Sequence, residues 1–200
     1  MTADTPFRIA FWVLIGLLAL IRVGFAVRVH RTGERLMPDA AAVRREGTGL
    51  FSLRVVAFLL LIGLLAAYGF DPAWMRALRL PLPGWLRWAG FGLGLLSLAL
   101  LAWTEAALGS QWSAQLQLRD EHQLITTGPY GRVRHPLYTS VLGLGLGLAL
   151  LTVHILFVVF AILAPVGVIV RAPKEEQMLL ERFGEAYRAY MQATGRFLPR

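Results

Sequence analysis

The chain has no cysteine, which excludes a disulfide framework, thiolate catalysis and a thiolate metal site, and leaves the redox compartment open. It is also poor in charge: only 16% of its 200 residues are Asp, Glu, Lys or Arg, whereas 56% are hydrophobic. A soluble domain of this length carries more charge, so the apolar excess points to a bilayer. No internal repeat is evident. A nucleotide loop is missing too, because Gly143, Gly145 and Gly147 follow no strand and have apolar neighbours on every side. The net charge of +8 does not indicate nucleic acid. The basic residues stand between apolar runs, as membrane topology requires, and form no patch on a polar domain.

The hydrophobic runs themselves are long. Ile9–Val27, Leu50–Phe70 and Trp88–Leu108 each suit a hydrocarbon layer of about 30 Å. The first run also has the length of a signal peptide, with Gly24-Phe25-Ala26 as a cleavage site. Arg22 interrupts it and Arg8 is the only basic residue ahead of it, which favours an uncleaved span. Residues 71–87 combine tryptophan, arginine and proline, the composition of an interfacial segment. Pro136–Leu151 and Ile155–Val170 are shorter and almost contiguous, and read as a tight helical hairpin with glycines that permit close approach. Beyond them lies a polar tail, in which Pro173 reads as a helix start with Glu175 and Glu176 in the first turn. Leu179, Phe183, Tyr187 and Tyr190 continue one apolar stripe from Glu175.

These features define an all-α integral membrane protein of about five transmembrane helices, forming a single membrane domain over 1–200. The polar first loop, the 109–135 loop and the tail hold fourteen of the twenty lysines and arginines. The positive-inside rule therefore puts the amino terminus outside, and the loop and the carboxyl-terminal amphipathic helix together on the cytoplasmic side.

The chemistry is concentrated in Thr126–Tyr138, where two prolines, two glycines, two arginines, a histidine and two tyrosines interrupt the apolar sequence. Gly128 and Gly131 allow unusual backbone angles, and Pro129 fixes φ. Pro136 suits a first helical position and drives His135 out of the helical region. The segment reads as a stiff loop that ends at a helix start, whose unpaired N–H groups favour an anionic group. Plainer readings stand beside these. His135 suits an ordinary loop residue, and Arg132 and Arg134 suit headgroup anchors. Glu175 suits a helix-dipole partner, His154 an interfacial residue, and Arg22 a snorkelling side chain or a partner within the bundle.

The run from Gln115 through Tyr138, then Arg171-x-x-x-Glu175-Glu176, Phe183-Gly184-x-x-Tyr187 and Phe197-Leu198-Pro199, resembles the isoprenylcysteine carboxyl methyltransferase family. That family stands with the phospholipid methyltransferases as small membrane enzymes using S-adenosyl-L-methionine. The resemblance implies a cofactor site made of Gln115, the stretch His122, Gln123, Leu124 and Ile125, then Tyr130, then His135, Pro136, Leu137 and Tyr138, with Glu175 from the tail. It implies a catalytic, substrate-facing role for Arg171, and Arg134 is taken as a second substrate contact. Ser140 stands where the family usually has glycine. The acceptor would be lipid-like or prenylated, drawn from the bilayer.

Physically, the donor's sulfonium suits the faces of Tyr130, Tyr138 and Trp112, and Glu175 suits its amino or hydroxyl groups. Methyl transfer is an in-line displacement that depends on alignment and requires no metal. An acceptor carboxylate is already ionised at neutral pH, so an arginine would position it. Two other classes fit the hydropathy: a non-catalytic membrane protein such as a transporter or assembly subunit, and an NADPH-dependent membrane reductase.

Overall fold

The computed structural model describes residues 4–31, 44, 47–108 and 124–200. Their helices run in order as α1 (Thr5–Arg31), α2 (Thr48–Phe70), the short α3 (Ala73–Ala77), α4 (Gly84–Leu108), α5 (Pro136–Thr152), α6 (Ile155–Phe183) and α7 (Glu185–Ala193). A 3₁₀ turn, Gly128–Gly131, precedes α5. Among the described residues the β-pairing consists of two isolated bridges. Helices α1, α2, α4 and α6 are long and apolar enough to cross a membrane. The 17 residues of α5 reach only about 25 Å at the α-helical rise. The protein is a multi-pass integral membrane protein, and α2 turns all but Tyr68 of its side chains away from full burial.

The tightest packing joins α4 to α5. A Cβ placed on Gly90 would lie 2.7 Å from the Gly147 carbonyl, and one on Gly147 would lie 2.8 Å from the Gly90 carbonyl. Small residues thus let the two backbones touch, where dispersion rather than water exclusion holds helices together. Gly143 likewise abuts Ser97, whereas Gly145 faces open space. Gly143 and Gly147 of α5 thus serve its contact with α4. Phe11 and Leu14 of α1, Leu98 and Leu101 of α4, Leu148 and Leu151 of α5 and Phe157 of α6 complete the core.

At one end of the bundle, charged side chains clamp the helix termini. Asp4 pairs with Arg79 and Arg87, and Asp71 pairs with Arg79 at 2.7 Å and Arg8 at 3.1 Å. Burial disfavours a charged Asp4, but the hydrogen bond from Arg87 and the neighbouring arginines win and hold its carboxyl below the usual range. His154 stands in the turn between α5 and α6. It is fully buried, accepts from the Leu156 N–H at 3.2 Å and reaches the Met75 carbonyl at 3.1 Å, so it caps α6 and ties it to α3.

The tail does not begin a new helix at Pro173. Helix α6 passes through both Pro165 and Pro173 for 29 residues, about 44 Å, so it outruns the hydrocarbon layer. Proline removes one backbone donor, but side-chain bonds on either side of Pro173 fix the emerging turn. The apolar stripe is also broken: Gly184, at φ 53°, ends α6 and redirects the chain into α7. Glu175 therefore stands in mid-helix and is no N-terminal dipole partner.

Candidate functional site

The opposite end of the bundle gathers the start of α5, the projecting end of α6, α7 and the final residues. The 3₁₀ turn is built as the glycines and Pro129 suggest. Gly128 adopts φ +61°, while Gly131 has no positive φ but lies so close to the Thr126 carbonyl that a Cβ would sit 3.1 Å from it. Pro136 opens α5, and His135 takes non-helical angles as its cap. The first-turn N–H groups of Leu137 and Tyr138 have no acceptor within the helix, as at any helix start.

The tail locks this loop by backbone pairing. Arg134 N donates to the Gly195 carbonyl at 2.9 Å and His135 N to the Arg196 carbonyl at 3.0 Å. The Thr139 hydroxyl donates to the Phe197 carbonyl at 2.7 Å, and the Tyr190 hydroxyl to the Tyr130 carbonyl at 2.7 Å. Phe197 also packs on the His135 ring at 5.8 Å. The closing Thr194–Phe197 stretch thus acts as a strap across the loop.

Two adjacent carboxylates organise the side chains. Glu175 Oε1 accepts from the Tyr138 hydroxyl at 2.7 Å and from Arg171 Nε at 2.8 Å. Its Oε2 lies 3.6 Å from His135 Nδ1, beyond a good hydrogen bond, and the side chain is partly exposed. Glu176 turns inward instead. It accepts from Arg134 Nε at 3.0 Å, from Arg196 Nε at 3.1 Å and through a second, shorter Arg196 contact, with His135 Nε2 at 3.3 Å. The His135 ring stacks on Tyr138 with centroids 5.5 Å apart, wedged between the two acids.

Electrostatics follow burial. Desolvation pushes the His135 imidazole below its ordinary value, against the pull of Glu175 and Glu176, so the ring is held neutral near pH 7. Burial also raises the Tyr130 phenol, and pushes that of Tyr190 up to about 12.

Of the residues expected at the site, His135, Tyr138, Arg171 and Glu175 meet directly, with Pro136 and Leu137 on the same turn and Tyr130 in the adjoining 3₁₀ turn. Leu124 and Ile125 lead into that turn, half-buried and outside any helix. Gln115, His122 and Gln123, like Trp112, lie outside the described residues. Arg134, expected as a second substrate contact, stands beside this group. Its side chain is buried and engages Glu176, the Met191 carbonyl at 2.9 Å and the Thr194 carbonyl, which makes it a strut for the tail. Ser140 is buried and donates to the Leu137 carbonyl at 2.8 Å, so it meets the demand for a small residue that glycine usually fills. Glu176, Tyr190 and Arg196 were missed. The doubled acid and the closing Thr-Gly-Arg-Phe carried the signal, but only the fold shows that they meet.

Residues 90–181, from α4 into α6, match the family model described as the isoprenylcysteine carboxyl methyltransferase (ICMT) family. The nickel-cobalt-cadmium resistance protein NccN of Alcaligenes xylosoxydans xylosoxydans is 31% identical over 154 residues, covering 74% of this chain and 62% of that protein. The cobalt-zinc-cadmium resistance protein CzcN of Cupriavidus metallidurans is 35% identical over 125 residues, covering 58% of this chain and 56% of that protein. The chain thus spans less than two thirds of the length of either curated relative. The structure of the eukaryotic intramembrane Ras methyltransferase ICMT superposes with a TM-score of 0.62 at 22% identity, covering 100% of this chain and 69% of that one, a likeness of fold. The similarity to the isoprenylcysteine carboxyl methyltransferase family thus runs from α4 to the two acids of α6.

Proposed function

We propose that this protein is an integral-membrane methyltransferase that uses S-adenosyl-L-methionine and methylates an amphipathic acceptor, foremost a carboxylate of isoprenylcysteine type. The observation that carries the reading is the convergence of Tyr138, His135 and Arg171 on Glu175, at the bundle end where α6 leaves the hydrocarbon layer. The residues suit the donor chemically. Glu175 Oε2 retains acceptor capacity for an amino or hydroxyl group, and the Tyr130 and Tyr138 rings offer faces to a cation. The N–H groups at the start of α5 suit a carboxylate. Leu124 and Ile125 would line the same site, with Gln115, His122 and Gln123 from the preceding loop.

When bound, the donor supplies a methyl group on a sulfonium, already activated for displacement. The protein's part is then alignment and exclusion of water, which in well-oriented systems reaches effective molarities of roughly 10⁵ M or more. Arg171, which donates through Nε to Glu175, would position an ionised acceptor and take no proton. His135, held neutral, would keep a positive charge away from the donor's cation.

The relatives' names concern resistance to metal ions. The proposal itself rests on the Glu175 site and on methyl transfer. Calorimetric titration of the protein in nanodiscs with S-adenosylhomocysteine and, separately, NADPH tests it. Saturable binding of the former alone is expected; binding of NADPH alone would favour the reductase reading.

A further inference from the structure

Two side-chain oxygens at the site end of α4, Thr104 Oγ1 and Glu105 Oε2, are buried with no hydrogen-bond partner among the described residues. Thr104 is fully buried and Glu105 only 3% exposed. Glu105 Oε1 is held by Arg22 of α1, the charged residue inside the first apolar run. Arg22 itself is 47% exposed on its side chain and extends over Phe25 at 5.9 Å. The pair is therefore asymmetric: a sealed acid under a half-exposed arginine. A carboxylate oxygen without a donor is costly in such a medium, and the cost is relieved by any N–H or O–H brought to it.

The position of the pair connects it to the site. Trp103 and Ala107, on either side of Glu105 in α4, pack under Gly128: a Cβ there would lie 3.5 Å from Trp103 Nε1 and 3.4 Å from Ala107 Cβ. The 3₁₀ turn bearing Tyr130 thus rests on the helix end that carries Glu105. Arg22 has the long apolar stem that lets an arginine swing toward the headgroups, which would open Glu105 to the bilayer side.

We propose that Glu105, covered by Arg22, is a specificity-determining subsite that accepts a hydrogen bond from an amide N–H of the amphipathic acceptor. The inference rests on the methyl-transfer reading, but it concerns the acceptor alone. Arg22 holds Oε1, and Oε2 receives the amide. An acceptor without that N–H leaves Oε2 unpaired, as it is in the free protein.

The test is equilibrium binding to the full chain in nanodiscs of two radiolabelled amphiphiles: an S-prenylated N-acylcysteine and its counterpart methylated on the amide nitrogen. Wild type should prefer the N–H compound by about tenfold or more. Glu105→Met should abolish the preference and the isosteric Glu105→Gln should reduce it, with the thermal shift from S-adenosylhomocysteine retained in both. A purely steric preference would survive Glu105→Met, and that survival overturns the proposal. Equal affinity of wild type for the two compounds, or binding of neither, overturns it as well. If Glu105→Met does not fold, an undiminished preference in Glu105→Gln is the overturning result. Failure of the methyl-transfer reading appears separately, as loss of the S-adenosylhomocysteine shift in wild type.

Discussion

Glu175 and Glu176 are neighbours in sequence with opposite tasks, because successive helical side chains point about 100° apart. Glu175 faces the partly open site with Tyr138 and Arg171, whereas Glu176 is buried among Arg134, Arg196 and His135. Removing one partner of a buried ion pair strands the other, a loss of about 3–5 kcal/mol. Glu176→Ala would strand the buried Arg134 and should lower the stability of the detergent-solubilised protein by that order. A change within about 0.5 kcal/mol would deny Glu176 its structural part. His135 adds a pH dependence. Its folded pKa lies below the ordinary 6.5, so the unfolded chain takes up a proton that the folded site refuses. That stabilisation is complete above pH 6.5 and disappears as pH falls from there toward the folded value. The melting temperature should therefore drop between about pH 7 and about pH 5.5, and His135→Gln should flatten this limb. An equal drop in the variant would assign the acid sensitivity to other groups.

Among the elements, the α4–α5 contact fixes where the start of α5 stands, and hence where Tyr138 points. Gly147→Leu must push apart backbones that already touch, since its Cβ would lie 2.8 Å from Gly94 N and 3.1 Å from Gly94 Cα. Overpacking of this kind costs about 1–3 kcal/mol, so the melting temperature should fall clearly. Gly145→Leu on the open face of the same helix should leave it nearly unchanged, and equal effects would refute the packing argument. The long spans, the helix start at Pro136 and the turn at Gly128 were legible because hydropathy, proline and glycine act locally. The partner of the α5 glycines was not, because periodicity marks a face without saying what covers it. Pro173 misled for a related reason: alone it suits a helix start, and only the Arg171–Glu175 bond across it and those of Glu175 and Glu176 with distant residues hold the helix through it.

For the whole molecule, the charged clamp of Asp4, Asp71, Arg79 and Arg87 lies at one end and the Glu175 site at the other. If the positive-inside rule governs, the site end is cytoplasmic. The absence of cysteine gives a clean test. A single cysteine at Arg200 should react with an impermeant maleimide only from the cytoplasmic side, and one at Leu82 only from outside; the reverse pattern would invert the topology. The four contacting site residues were legible from one loop and one helix turn, whereas the strap of Thr194–Phe197 emerged only from tertiary pairing. The central claim is that the loop before α5 and the projecting end of α6 close on one methyl-donor site. It is tested most directly by S-adenosylhomocysteine titration of wild type, Tyr138→Phe and Glu175→Gln in nanodiscs. The account predicts saturable binding to wild type, weakened at least about tenfold in both variants while their melting temperatures without ligand stay close to wild type. Undiminished affinity in both variants would contradict it.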